Sequence, residues 1–192
     1  LNGQQFWVEV NLRPTYIGKA GRLIALVRDI SERKQAEESI RIAATAFEGQ
    51  EGMMIVDAEN VIIRVNQAFS TITGYSAAEA VGQKPGMLGS GQHNPAFYAA
   101  MWDSIKKTGT WQGEIWNKNK SGSLYPQWLI ITAVKDEHGQ VTHYVGSFTD
   151  ISARKKAEEE INHLAFYDPL TQLPNRRLLL DRLKQAVTSS VR

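Results

Sequence analysis

The chain has 192 residues, 42% of them hydrophobic, a formal net charge of +2 and no cysteine. There is enough apolar material for a buried core, while a small charge with basic and acidic residues interleaved argues against a nucleic-acid partner. The lack of cysteine excludes disulfides, thiolate chemistry, cysteine-ligated metals and cysteinyl cofactor adducts, and no apolar run matches a membrane span or a signal peptide.

Phe6, Val8 and Val10 alternate with Trp7, Glu9 and Asn11, the period of a half-buried strand. Gly18–Gly21 is expected to turn the chain and Leu23–Val27 to return as a second strand. Residues 32–48 read as helix, with Ile40, Ala43, Ala44 and Phe47 on one face. Met54–Asp57 and Val61–Val65 are short strands joined by a polar turn. Asn66–Thr73 and Ser76–Val81 read as short helices, the second with Ser76 as N-cap and Glu79 completing a capping box.

Residues 82–92, rich in glycine and holding Pro85, read as loop. Pro95 opens a helix to about Thr108, with Phe97, Met101, Trp102 and Ile105 at helical spacing and Gly109 as its end. Strands Trp111–Asn117, Leu124–Lys135 and Val141–Phe148 follow, separated by turns at Lys118–Gly122 and Asp136–Gly139. Two strands, a helical insert and a three-strand meander suit an α+β domain: one antiparallel sheet with helices on one face. Residues 152–167 read as a highly charged helix with a short seam of Ala157, Ile161 and Leu164. Pairs Arg154–Glu158, Lys155–Glu159 and Lys156–Glu160 are spaced to support it. Such a helix calls for a partner, and a parallel homodimer is the simplest one.

One segment occurs twice. DISERKQAEESI at 29–40 and DISARKKAEEEI at 150–161 share nine of twelve positions, 121 residues apart. Each copy follows a strand and opens a helix. That spacing suits a tandem array of small domains. Asp150, Ile151 and Ser152 lie where the last strand gives way to its helix, and Asp150 or Ser152 is the candidate cap of that helix.

The element order, the paired DIS segments and the runs VNQAFSTITGYSAAEAVG, WQGEIWNKNKSG and YPQWLIITAVKD resemble the PAS sensor family. That resemblance implies a five-stranded antiparallel sheet with helices on one face, flanked by signalling helices, with Asp150, Ile151 and Ser152 coupling the last strand to the exit helix. It divides the chain into C-terminal strands of an upstream PAS domain (1–31), a linker helix (32–48), a complete PAS domain (49–151) and a signalling helix (152–167). DPLTQLPNRRLLLDRL at 168–183 resembles the opening of GGDEF-type diguanylate cyclases, with Gln172 where glycine is common. The catalytic motifs of that family lie further along, so residues 168–192 would be a truncated start without activity. The resemblance implies a cyclic-di-GMP signalling parent, placed in the cytoplasm although membrane attachment elsewhere in it stays open.

Trp102, Trp111 and Asn117 stand as they do in the flavin-binding PAS domains of aerotaxis and redox-sensing proteins, where they adjoin the flavin. The resemblance makes FAD the leading cofactor. It departs at Ser90 and Gln92, where the aerotaxis type carries basic residues. The other reading leaves the tryptophans as core or dimer face in a ligand-free spacer. Residues 95–108 hold no histidine, against the usual haem ligation; His93 reads as a solvated loop residue, and His138 and His143 lack metal-ligand spacing.

Overall fold

The computed structural model describes residues 6–17, 20–171 and 173–190. The turn at Gly18–Gly21 falls partly outside these residues and Gln172 wholly so. Two compact units divide the chain, Leu1–Gly49 and Gln50–Arg192.

In the first unit β1 (Val8–Ile17) and β2 (Ala20–Asp29) form an antiparallel hairpin with Val10 opposite Val27. Helix α1 (Ser31–Phe47) follows. β2 is longer than Leu23–Val27 at both ends, because the ladder runs unbroken to Asp29. Two strands cannot bury both of their faces, and Phe6, Trp7, Leu12, Leu23 and Leu26 are exposed.

The second unit holds the five-stranded antiparallel sheet. Its strands are β3 (Gly52–Asp57), β4 (Ile62–Val65), β5 (Thr110–Lys118), β6 (Leu124–Lys135) and β7 (Val141–Asp150), in spatial order β4-β3-β7-β6-β5. Between β4 and β5 come α2 (Gln67–Thr73), α3 (Ala77–Ala80), a 3-10 turn at Pro85–Leu88 and α4 (Pro95–Thr108). The 3-10 turn lies inside the stretch expected to be plain loop. Helices α5 (Ser152–Phe166) and α6 (Arg176–Ser190) close the chain.

Phe69, Ile62, Leu88, Leu129 and Phe148 lead the core between the sheet and the helical insert. Phe69 meets Phe148 edge-on at 5.9 Å. Asn66 ties the layers together. Its Oδ1 accepts from the N–H groups of Met53 and Phe69, both at 2.8 Å, and its Nδ2 donates to Glu51 O. It caps α2 and holds the start of β3 with one side chain. At α3 the Glu79 carboxylate accepts from the Ser76 N–H at 3.0 Å, the expected half of a capping box, and also pairs with Lys120 at 2.5 Å. These bonds, Lys120 first, hold the Glu79 carboxyl down to about 2. Gly109 ends α4 in the left-handed region, φ 81°.

Pro126 lies in an inner strand, which its missing N–H ordinarily forbids. The β6–β7 ladder starts one residue later, at Gln127, and Pro126 O accepts from the Ile151 N–H at 3.0 Å. The proline thus sits where the chain leaves the sheet for α5.

Candidate ligand cavity and exit joint

A cavity of about 460 Å³ lies between the sheet and α4. Met54 and Val56 of β3, Ile115 and Asn117 of β5, Gln127, Leu129 and Ile131 of β6, and Tyr144 and Gly146 of β7 form its floor. Leu88, Gly89 and His93 come from the loop before α4, and Tyr98, Met101 and Trp102 from α4 itself. Among the described residues, no aspartate, glutamate, lysine or arginine lines it.

Two buried amides stand in this apolar floor. Gln127 has no exposed surface and Asn117 is 7% exposed. In the amide orientation that its neighbours require, Asn117 donates to Leu88 O at 3.1 Å and accepts from Gln127 Nε2 at 3.0 Å. An uncharged pocket with a few convergent polar groups is the usual form of a small-molecule site.

The three residues expected around a cofactor separate. Trp102 and Asn117 line the cavity, and Trp102 packs edge-on against Tyr144 at 5.3 Å. Trp111 is not among the lining residues. Its ring covers Gly113 so closely that a Cβ there would lie 2.7 Å from it, which gives the W-x-G spacing a packing reason. Trp111 also meets Phe97 edge-on at 5.9 Å, and Phe97 stacks on His93 at 4.1 Å.

His93 differs from the solvated residue that its loop position suggested. It is half-buried, and its Nε2 accepts the Trp116 N–H at 2.9 Å. Ser90 Oγ donates to Trp116 O at 2.6 Å, and Gly89 bridges Asn117. The loop is therefore sewn along the outer edge of β5. Gln127 and Ser90, like His93, carried no sequence signal for these roles, because each acts across the fold.

At the exit, Asp150 Oδ1 accepts the Ser152 N–H at 2.8 Å, so Asp150 caps α5. Ile151 is buried and bonds Pro126 through its N–H. The first copy of the motif repeats this geometry. Asp29 Oδ1 accepts the Ser31 N–H at 2.8 Å, and the Ile30 N–H reaches Trp7 O at 2.9 Å. Ile30 and Ile151 share φ and ψ, −117° and 18° against −103° and 15°. Arg33–Glu37 and Arg154–Glu158 are equivalent i,i+4 pairs. Lys155 departs from its expected partner Glu159 and bridges to Glu114 of β5. Ile161 and Leu164 remain exposed, at 66% and 52%.

Beneath the joint, Tyr125 is a buried phenol whose hydroxyl has no hydrogen-bond partner among the described residues. Burial, and secondarily the Asp150 carboxylate, push its pKa up.

Past α5, Asp168 Oδ1 accepts from the N–H groups of Leu170 and Thr171, and its own N–H donates to Leu173 O. Those bonds, Thr171 first, hold the Asp168 carboxyl below its ordinary value. Asn175 donates from its side chain to Ala165 O and accepts from the Leu178 N–H, joining the end of α5 to the start of α6. Arg177 lies over the Phe166 ring at 5.5 Å, occupied in packing.

A family profile for the PAS domain matches residues 1–32 and 50–153. The nitrogen fixation regulatory protein of Klebsiella oxytoca is 30% identical over 139 residues, which cover 71% of this chain and 28% of that protein. The aerotaxis receptor of Escherichia coli (strain K12) is 29% identical over 124 residues, 64% of this chain and 22% of that one. The chain thus spans under a third of the length of either relative. A solved PAS domain from Colwellia psychrerythraea overlays with a TM-score of 0.57 at 25% identity, over 60% of this chain and 99% of that one. A light-oxygen-voltage domain solved in work on a flavin analogue overlays with a TM-score of 0.53 at 25% identity, over 65% and 95%.

Proposed function

Because the chain belongs to the PAS domain family, whose members are sensory domains of signalling proteins, we propose that its complete PAS domain senses redox state through a bound flavin. FAD is the leading form, and the signal passes along α5 to a diguanylate cyclase domain that begins at Asp168. The uncharged cavity with its buried amide pair carries this reading.

The residues fit the flavin ring system. The cavity has Trp102 and Tyr144 among its lining residues and offers Asn117 and Gln127 as donors and acceptors. With no charged lining residue, it suits the ring and leaves phosphates to its mouth. When bound, a flavin supplies a redox couple whose reduction protonates a ring nitrogen, exchanging an acceptor for a donor. Asn117 answers such a change only together with Gln127, because turning one amide breaks its bond to the other. Asn117 directly follows Trp116, whose ring has Lys155 of α5 at 6.0 Å. A differential interaction of a few kcal/mol, about 5 for full reversal, shifts a two-state equilibrium.

The parent in this reading is a cyclic-di-GMP enzyme of the cytoplasm. No described helix is long and apolar enough to cross a membrane. Residues 1–31 belong to an upstream PAS domain, 32–48 link it to the complete domain at 49–151, and 152–167 signal to the cyclase start at 168–192. The separate profile matches and the repeated Asp-Ile-Ser geometry support the tandem array. The exposed seam of α5 supports a homodimer through the flanking helices. This chain alone, lacking the cyclase motifs, should give no cyclic product from GTP and magnesium.

A second reading, a ligand-free structural spacer, is favoured by one observation: Asn117, Gln127 and Leu88 O satisfy one another without a ligand. An absorbance spectrum separates the two. Gently purified protein should show a flavin spectrum that heat releases. Colourless protein that also fails to take up added FAD would remove the redox reading.

A further inference from the structure

We propose that His93 is a positioning residue for the cavity: acting through the Trp116 backbone, it latches the loop before α4, and protonation releases the latch. Both outward-facing backbone groups of Trp116 are held by that loop, the N–H by His93 Nε2 at 2.9 Å and the carbonyl by Ser90 Oγ at 2.6 Å. Leu88, Gly89 and His93 of the same loop wall the cavity. Holding Trp116 and holding the cavity shut on that side are therefore one arrangement.

The bond fixes the imidazole's state. A ring nitrogen that accepts carries no proton, so His93 is neutral here with its proton on Nδ1. A second proton makes Nε2 a donor facing the Trp116 N–H, and two donors repel. Histidine is the side chain whose unperturbed charge change falls between about pH 5 and 8. The ring is otherwise held by apolar packing: Phe97 stacked at 4.1 Å and Tyr98 edge-on at 6.2 Å. Of the groups around the latch, Tyr98 is the titratable one on α4. Glu114 on β5 and Lys155 on α5, beside Trp116, are paired with each other. Lys155 has only donors to offer, and Glu114 gives His93 no substitute acceptor while that pair stands.

The same event reaches the exit helix. Trp116 carries the latch on its backbone and the Lys155 ammonium over its ring. Opening the loop thus alters cavity access and one anchor of α5 together.

The inference about ligand release rests on the flavin reading, so the test has an arm that does not. In the protein without added ligand, nitrogen-15 spectra of the imidazole should show His93 as the Nδ1–H tautomer at pH 8. The Trp116 amide resonance should move with the protonation of that ring. In His93→Gln, which keeps an acceptor without titrating, the Trp116 resonance should not move over the same range. The Nε2–H tautomer, or a Trp116 amide indifferent to the titration, overturns the latch whatever the cavity binds. With FAD as probe, release should speed roughly three- to tenfold between pH 8 and 5.5, the weight of one hydrogen bond. His93→Gln should lose that pH dependence, and His93→Phe should release FAD rapidly at both pH values. A pH dependence that survives in His93→Gln, or slow release from His93→Phe at pH 8, overturns the gating role. If FAD does not bind at all, the flavin reading fails and the spectra still decide the latch.

Discussion

Lys155, in the first turn of α5, bridges to Glu114 of β5 at 2.6 Å, with both side chains about one-third exposed. This pair pins the exit helix to the strand that carries Asn117. Glu114→Gln should weaken the pin while the sheet stays intact. A partly exposed pair contributes about 0.2–1 kcal/mol, so the melting temperature should fall only slightly. Hydrogen exchange should rise in the first turn of α5. Unchanged protection there would mean that Ile151 and Asp150 hold the joint alone.

Asn117→Ala should be costlier. It leaves Gln127 Nε2 and Leu88 O without their partner in a buried place. An abandoned buried polar group costs about 1–3 kcal/mol. Chemical denaturation should show a loss of that order, and flavin retention should fall with it. A neutral substitution would show that water readily replaces the amide.

Tyr125→Phe should be neutral or stabilising. Its hydroxyl is buried without a partner, so removing it removes an unsatisfied donor. The gain should be at most about 1–3 kcal/mol, the penalty for such a group. A loss of stability would reveal an ordered water on that hydroxyl.

The acid limb of the stability curve should involve Glu79. Its carboxyl is held at about 2 in the folded protein, down from 4.5. A depressed carboxyl contributes stability that is fully present above the unfolded value and is lost as pH falls through the folded value. Between about pH 5 and 2 the folded protein should therefore lose this contribution. Glu79→Gln should flatten that part of the curve and leave the region above pH 6 parallel to wild type. The pair is exposed, so the change should be small; an identical acid limb would assign it to other carboxylates.

The proposed homodimer can be tested at Ile161 and Leu164. Both are exposed on α5, and charged replacements should shift sedimentation toward monomer without changing the unfolding of the sheet. Two variants that sediment as wild-type dimers would place the interface elsewhere.

Much of this architecture could be read from the residues. The period-two runs located the strands, Pro95 and Gly109 bounded α4, and the repeated Asp-Ile-Ser marked two joints of matching geometry. What stayed hidden was contact between distant residues. His93 looked solvated because nothing in a Gly-rich loop announces a bond to a backbone N–H twenty-three positions away. Trp111 looked like part of the cofactor site because its spacing to Gly113 is shared by a packing requirement. Gln127 sits among apolar strand residues and shows its role only once β6 lies beside β5. Helix α6 was missed because its apolar residues follow a motif read for its family resemblance.

β5 is the outermost strand on its side of the sheet, and a strand in that place invites pairing with another chain. At Trp116 the invitation is withdrawn, since both outward backbone groups are already engaged by Ser90 and His93. The loop therefore also acts as a guard against fibrillar association. Acid that opens it would leave a bare strand edge, so protein stored at low pH should be the form most prone to aggregate.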